Sequence, residues 1–549
     1  MANFVKSPCD EGVIQSGTPT APCPLYIGTW VLVATILGSS MAFIDGSVVN
    51  VALPAIQKNF NATTGEMQWV VEAYSLFLAA LILVGGSLGD RLGRRRIFAI
   101  GIVIFTLASL WCGLSPSVLS LIIARAIQGI GGALLVPGSL AIISASFSEE
   151  QRGRAIGTWS GFTAITSVVG PVLGGVLVQY ATWRWVFFIN IPLAIVVMII
   201  LFWRVPESRD QSVSGQLDWW GTVLVTVGLG SLVYGLIEAG SSSFSNPTVL
   251  VTLVIGIIAL VAFLLVEART PAPIVPLTLF RSPTFSGANL LTLLLYGALG
   301  ALTFFLPFNL IQVQGYTPLE QGAAFVPFIL IMFSLSRWAG GLVNRYGAKL
   351  PLVVGPIITA GGFALFALPG ISNGASSYWT TFFPAVVVMG IGMAITVAPL
   401  TTTVMGAVER RHSGVASGIN NAVSRTAGLL AIAILGIVVL TTFSASLSSH
   451  LATLHLPSDV QQQIEVQQTK LAGIDIPTNV SSEVHASIEQ AIDESFVSSF
   501  RLVVLICAAL ALISAFSAWL LIEGKKPAQQ EEGLRDSQTI THESHSTSS

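Results

Sequence analysis

The sequence predicts an all-α polytopic membrane protein: two six-helix bundles with two further helices inserted between them, fourteen transmembrane helices in all. Three observations carry that prediction. Hydrophobic residues make up 53% of the 549-residue chain and charged residues only 9%, far below the roughly 25% of soluble domains. The apolar residues gather into runs of about 20, the length a helix needs to cross a bilayer. A dense basic turn, Gly85-Gly86-Ser87-Leu88-Gly89-Asp90-Arg91-Leu92-Gly93-Arg94-Arg95-Arg96, joins two such runs and recurs, thinner in charge, as Gly340-Gly341-Leu342-Val343-Asn344-Arg345-Tyr346-Gly347-Ala348-Lys349.

Residues 1–27 are polar and lack the charged start and apolar stretch of a signal peptide, so they are expected to be a disordered cytoplasmic tail. Apolar runs then lie near 28–51, 67–88, 97–114, 119–144, 155–180 and 183–203, the first bundle (28–204). A linker and the runs near 219–239 and 247–267 occupy 205–268, and 269–284 is a Pro-rich cytoplasmic linker. The second bundle, 285–522, holds runs near 285–311, 320–341, 350–369, 379–401, 414–440 and 499–522. Residues 523–549 are rich in Ser, Thr, Gln and Glu and are expected to be a second disordered cytoplasmic tail. The basic turns follow the second and tenth runs, so equivalent helices are eight apart and runs seven and eight form the insertion. Facing six-helix bundles around a midplane cavity suit a transporter in which one bundle rocks against the other.

Positive charge fits this map. With both termini cytoplasmic, 18 Lys and Arg residues fall inside, 4 outside (Lys58, Arg184, Lys470, Arg501) and 3 within spans (Arg125, Arg337, Arg425), the asymmetry the positive-inside rule demands. Residues 441–498 form the large external segment, with seven acidic residues and one Lys. Apolar residues at helical spacing from Val484 to Ile492 predict a short helical cap there. Cys9, Cys23, Cys112 and Cys507 have no metal or disulfide spacing.

Ionisable residues inside spans are the functional candidates, since each costs about 2.5–3.5 kcal/mol on insertion scales unless it pairs, faces a cavity or titrates. Asp45, Glu72 and Arg125 each lie six or seven residues from the outer end of spans one, two and four, or about 10 Å at 1.5 Å per residue. The three are therefore expected at one depth. Arg125 can neutralise only one carboxylate there, leaving the other as a proton carrier. Which acid is the surplus one is open, as is a purely structural Asp45–Arg125 pair with Glu72 near the headgroups. In the second half Arg425 follows Asn420 and Asn421 in span thirteen and has no evident counter-ion. It either binds an anionic group or backbone carbonyls, or ties helices together; Asn50, Asn420 and Asn421 are further polar candidates for the cavity.

The turn from Gly86 to Arg96 resembles the signature turn of the major facilitator superfamily. The resemblance implies the major facilitator fold. It also implies a conformational latch formed by Gly86, Asp90, Arg91, Gly93, Arg94 and Arg95, echoed by Asn344 and Arg345. Leu121 to Gly131, with Arg125 at its centre, resembles the span-four motif in which the buried Arg is linked to proton transfer. Asp45 with Val48-Val49-Asn50-Val51-Ala52-Leu53-Pro54 resembles the span-one motif of fourteen-span drug:proton antiporters, and Trp183 to Pro192 looks like the start of their span six. Gly170-Pro171-Val172-Leu173-Gly174-Gly175 resembles the antiporter motif of exporters, with Thr166 in place of its leading Gly. Gly170 and Gly174 share one helix face and permit close helix approach, and Pro171 is placed to kink the helix.

These resemblances imply a secondary active transporter of the inner or plasma membrane that exports lipophilic or amphipathic small molecules in exchange for protons by alternating access, and so acts in multidrug efflux and antibiotic resistance. It is expected to work as a monomer, without cofactor, metal or nucleic acid. Sodium coupling stays open. No Gly-x-x-x-x-Gly-Lys-Ser/Thr loop occurs, which argues against direct ATP use. An exporter of one metabolite, lipid precursor or siderophore is the alternative. A polytopic enzyme or sensor is more remote, because the six His residues lie outside any intramembrane cluster.

Overall fold

The structure is a computed structural model that describes residues 25–209, 218–270, 273–372, 374–409 and 413–524. The described residues are helical, with no strand among them. In chain order the first half comprises α1 (Leu25–Phe60), α2 (Thr64–Leu92), α3 (Arg94–Leu114), α4 (Val118–Ser146), α5 (Glu149–Tyr180), α6 (Trp185–Phe188) and α7 (Asn190–Arg204). Between the halves lie α8 (Trp219–Ser241) and α9 (Pro247–Glu267), the pair expected to be an insertion. The second half comprises α10 (Pro283–Phe308), α11 (Pro318–Ala324), α12 (Val326–Tyr346), α13 (Lys349–Leu365), α14 (Phe383–Gly406), α15 (Ser413–Thr453), α16 (Ser458–Glu465) and α17 (Ser482–Leu521). A π-helical turn, Asn309–Val313, ends α10 two residues after Pro307, whose missing N–H breaks the regular ladder.

Among the described residues, twelve helices are long and apolar enough to cross a membrane. The fifth and eleventh predicted spans are also helical, but their apolar stretches, Val169–Tyr180 and Lys349–Leu365, are shorter. Of the predicted tails, residues 1–24 and 525–549 lie outside the described residues, and α1 already begins at Leu25.

Within the first half α2 and α3 pack along α4, and α1 along α5; in the second half α12 and α13 pack along α14, and α10 along α15 and α17. Small residues set these distances. A Cβ on Gly131 of α4 would stand 2.5 Å from the backbone nitrogen of Phe105 in α3, so side-chain-free backbone is what lets the two helices meet. Helix α8 lies against α2 and α15 together, joining Leu229, Val233 and Ile237 to Leu76, Ala79, Leu429 and Ala433 in one apolar cluster. It thus covers one flank of the seam between the halves.

The external segment differs from its prediction. Val484 to Ile492 is not a separate cap but the start of the forty-residue α17, and α15 likewise runs on to Thr453. Ile488, Ala491, Ile492 and Phe496 are buried. Periodicity marked the helix correctly, but polar residues on its solvent face hid its continuity with the span.

Candidate functional site

Asp45 of α1 and Arg125 of α4 form a buried ion pair, Arg125 Nη1 donating to Asp45 Oδ2. Gln128, one turn beyond Arg125, accepts from Arg125 Nη1 at 2.7 Å and donates to Asp45 Oδ1 at 2.7 Å. It also donates to Ser109 Oγ of α3 at 2.7 Å, which takes a second bond from Asn190 Nδ2 of α7 at 2.9 Å. Arg125 Nε donates to the Val70 carbonyl of α2 at 2.9 Å, and the guanidinium lies 4.3 Å from the Tyr74 ring centre. One ion pair thereby ties five helices. A buried pair is tolerable when its remaining donors and acceptors are met, and here Gln128 and the Val70 carbonyl meet them. Gln128, Ser109, Asn190 and Tyr74 escaped the sequence reading. Three are neutral residues scattered over separate helices; only Gln128, three residues from Arg125, had a helical-spacing signal.

Glu72 does not join this cluster. It shares its helix with Val70 and Tyr74, but at 100° per residue position 72 points away from the face those two present to α4. It lies instead on the stripe Gln68, Glu72, Leu76, the neighbours at four-residue spacing. Gln68 Nε2 donates to the Ile432 carbonyl of α15 at 3.0 Å, and Leu76 packs in the cluster shared with α8 and α15. Glu72 is fully buried at this three-way junction, and neither carboxyl oxygen has a hydrogen-bond partner. The expectation of two acids competing for Arg125 is therefore corrected: shared depth does not mean a shared helix face.

In the second half Asn420 donates to Asn289 Oδ1 at 3.1 Å and to Thr292 Oγ1 at 2.7 Å, a tie between α15 and α10 rather than a cavity group. Asn421 is exposed and donates to its own helix at the Ser417 carbonyl. Arg425 is half-buried, and its Nε is enclosed without an acceptor. Asn50 lines a cleft of about 270 Å³ between the halves, with Gly46 and Ser47 of α1, Thr303 of α10, and Gln321, Phe325 and Phe328.

At the basic turn Asp90 closes the last turn of α2 and pairs with Arg94, Nη2 to Oδ1 at 2.7 Å. Gly93 has φ +113°, a left-handed conformation that favours Gly, and opens α3. The acid at the α3 N-terminus is Glu207, from the strand of chain after α7: its carboxylate accepts from the backbone N–H groups of Arg95 and Arg96 at 2.9 and 3.2 Å. Such N-terminal anions are favoured by the helix dipole. The sequence reading missed Glu207 because it lies 112 residues from Arg95. Gly86 stands 3.5 Å from Pro137 by its virtual Cβ, while Arg91 Nε is enclosed without a partner. In the echo Arg345 lies against Tyr346; the Asn344 side chain is outside the described atoms.

The halves meet at the end opposite the basic turns. There Gln57 of α1 bonds to the Lys470 carbonyl at 3.1 Å and accepts from Gln312 at 2.8 Å. Leu319 N donates to Gln179 at 3.2 Å. A Cβ on Gly175 of α5 would stand 2.5 Å from the Pro318 carbonyl, and one on Gly322 of α11 would strike the Pro171 carbonyl. Gly170 and Gly174 face α1 instead, against Ser47 and Val48. Pro171 lies inside the continuous α5. At the basic-turn end Gly153, Gly157, Gly340 and Gly341 have open space beside them. The close α5–α11 approach is thus found at the end opposite the basic turns, while α2 and α15 stay in contact further along, at Leu83 and Gly418.

The segment between α15 and α17 adds to the contacts at this end. Lys470 Nζ reaches Asn61 Oδ1 at the end of α1 and bonds Gln467 at 2.7 Å and Asp475 at 3.4 Å. Leu471 is buried with φ +56°, a strained backbone for a branched residue that its surroundings hold in place. Hydrogen bonds to a charged group contribute about 1.5–3 kcal/mol. Lys470→Ala is accordingly expected to raise amide hydrogen exchange over residues 467–475 about tenfold or more; unchanged exchange would contradict this anchoring.

The sequence profile of the Major Facilitator Superfamily matches residues 35–433. The multidrug resistance protein Stp of Mycobacterium tuberculosis (strain CDC 1551 / Oshkosh) is 33% identical over 506 residues, covering 89% of this chain and 91% of that one. The tetracenomycin C resistance and export protein of Streptomyces glaucescens is 30% identical, covering 88% and 90%. Among solved structures, a bacterial homolog of the human lysosomal transporter Spinster, inward-facing and unoccupied, superposes with TM-score 0.63 at 18% identity, covering 92% of this chain and 100% of that one.

Proposed function

This chain belongs to the Major Facilitator Superfamily, and from that premise we propose that it exports amphipathic or hydrophobic compounds across the plasma membrane by alternating access, in exchange for protons. Relatives named for multidrug resistance and for resistance and export of an antibiotic support the export direction. The observation that carries the coupling is Glu72: a fully buried carboxylate, without a hydrogen-bond partner, at the seam where the halves must move. With the basic turns cytoplasmic, as the distribution of Lys and Arg supports, the close α5–α11 approach lies at the external end and the basic-turn end faces the cytoplasm.

Cargo enters from that side into the cleft near Asn50, Phe325 and Phe328. Rocking then opens the contacts around Gly175 and Gly322, releasing cargo outside, and separates α2 from α15 so that Glu72 takes a proton there. An ionised carboxylate with no donor is costly to enclose, so the protonated form favours return to the closed seam. Binding of the next cargo must loosen this seam toward the cytoplasm so that Glu72 can release its proton there, which completes the exchange. Asp45 and Arg125 act differently, as the polar clamp that holds the first half together during rocking, with Asp90, Glu207 and the basic turn as the cytoplasmic latch.

Transport into inverted vesicles under an imposed pH gradient tests this. Glu72→Gln should lose at least tenfold of gradient-driven accumulation while still equilibrating cargo down its own gradient. Full gradient-driven accumulation in Glu72→Gln would sink the proton reading. A relative named for one antibiotic keeps a narrow exporter as the second reading; protection against only one member of a chemically diverse toxin panel would favour it.

A further inference from the structure

We infer that the cargo this chain takes best is an amphipath bearing a carboxylate or comparable anionic group, with Arg425 as its anchoring cation. This deepens the export reading and rests on it. The ground is the charge left over once the described side chains in the middle of the spans are paired. Asp45 is saturated by Arg125 and Gln128, so it offers no free negative charge to a cationic drug. Glu72 lies in the seam stripe between Gln68 and Leu76, closed over by α8 and α15. Arg425 remains: among the described residues no hydrogen bond or ion pair satisfies its guanidinium, and its Nε is enclosed.

Arg425 does not itself line the cleft, but it lies on α15 close to where that helix meets the cleft-lining α10. Gly428, less than one turn on, packs against Gly300 of α10, the neighbour of the cleft residue Leu299. A guanidinium is always charged and presents a planar fork of donors matched to a carboxylate. The Phe325 and Phe328 rings supply the apolar wall for the rest of such a molecule, while Asn50, Thr303 and Gln321 offer neutral hydrogen bonds. Nothing described in the cleft repels an anion, whereas a lipophilic cation bound there would lie near Arg425 with no opposing free acid among the lining residues. Exchange of a monoanion for one proton also carries two positive charges inward per cycle, so its export is driven by the membrane potential as well as by the pH difference.

Three naphthalene-sized or aryl probes separate charge from hydrophobicity: anionic 1-anilinonaphthalene-8-sulfonate, neutral N-phenyl-1-naphthylamine and cationic tetraphenylphosphonium. Equilibrium binding to the purified full-length chain in detergent needs no coupling ion, so it tests the charge preference apart from proton antiport. The wild type is expected to bind the anion at least tenfold tighter than the cation. Arg425→Gln should weaken the anion at least tenfold and change the neutral probe less than twofold, and Arg425→Lys should recover part of the loss. Equal binding of anion and cation, no binding of any probe, or an equal loss of all three in a monodisperse Arg425→Gln protein overturns the proposal. If the anion preference holds in binding while reconstituted transport ignores the pH gradient, the antiport reading fails and this inference stands.

Discussion

Arg125→Ala is expected to destabilise the protein by about 3–5 kcal/mol, the cost of leaving a buried charge without its partner. The loss would be spread over five helices, since Arg125 reaches Asp45, Gln128, Val70 and Tyr74, and Gln128 carries the network to Ser109 and Asn190. Most of the cost lies in the abandoned Asp45 rather than in the lost attraction. Asp45→Asn combined with Arg125→Ala should therefore recover at least half of the stability, although neither variant should transport. Unfolding in detergent against a denaturing surfactant reads the midpoints of the wild type and the two variants. A double variant no more stable than Arg125→Ala alone would contradict the ion-pair account and place the effect in lost packing of the Arg stem.

Gly322→Val is expected to reduce transport at least tenfold and to hold the outer end open. The Pro171 carbonyl stands where the Gly322 Cβ would go, and the Pro318 carbonyl stands 2.5 Å from the Gly175 Cβ position. Both obstacles are backbone, so no rotamer change relieves them, and α5 and α11 can accommodate valine only by separating. The closed outer end is one of the two states that alternation requires, and removing it leaves no cycle. The readout is labelling of a Gln57→Cys reporter by a membrane-impermeant maleimide, because Gln57 lies at the outer closure and lines the external cleft with Lys470. The rate should rise about tenfold in Gly322→Val and less in Gly322→Ala. Loss of transport without faster labelling would show that the glycines serve packing alone.

The candidate residues divide by how far their partners lie along the chain. Gly170 and Gly174 were readable as one packing face, since four-residue spacing on a helix settles which side they share. Asp45 and Arg125 were readable as candidates because charge within an apolar run is costly anywhere in a bilayer. Their pairing was not readable, nor was the exclusion of Glu72, because depth follows from counting residues whereas facing depends on how α2 is rotated against α4 and α15. Asn420 misled for the same reason: a polar side chain on a span meets either a cavity or a neighbouring helix, and here it meets Asn289 and Thr292. Glu207 and Lys470 gave no signal, since each lies in a connection whose partner is set by where the chain returns after one or more whole spans.

The sequence alone determined that the chain is helical and carries many segments apolar enough to cross a membrane, because bilayer thickness and the cost of charge act on each segment by itself. Only the tertiary structure decided which buried acid has a partner, at which end α5 and α11 meet and what the segment between α15 and α17 contacts. Those are contacts between helices far apart in sequence, and they depend on the rotation and tilt of packed helices, which no local pattern encodes.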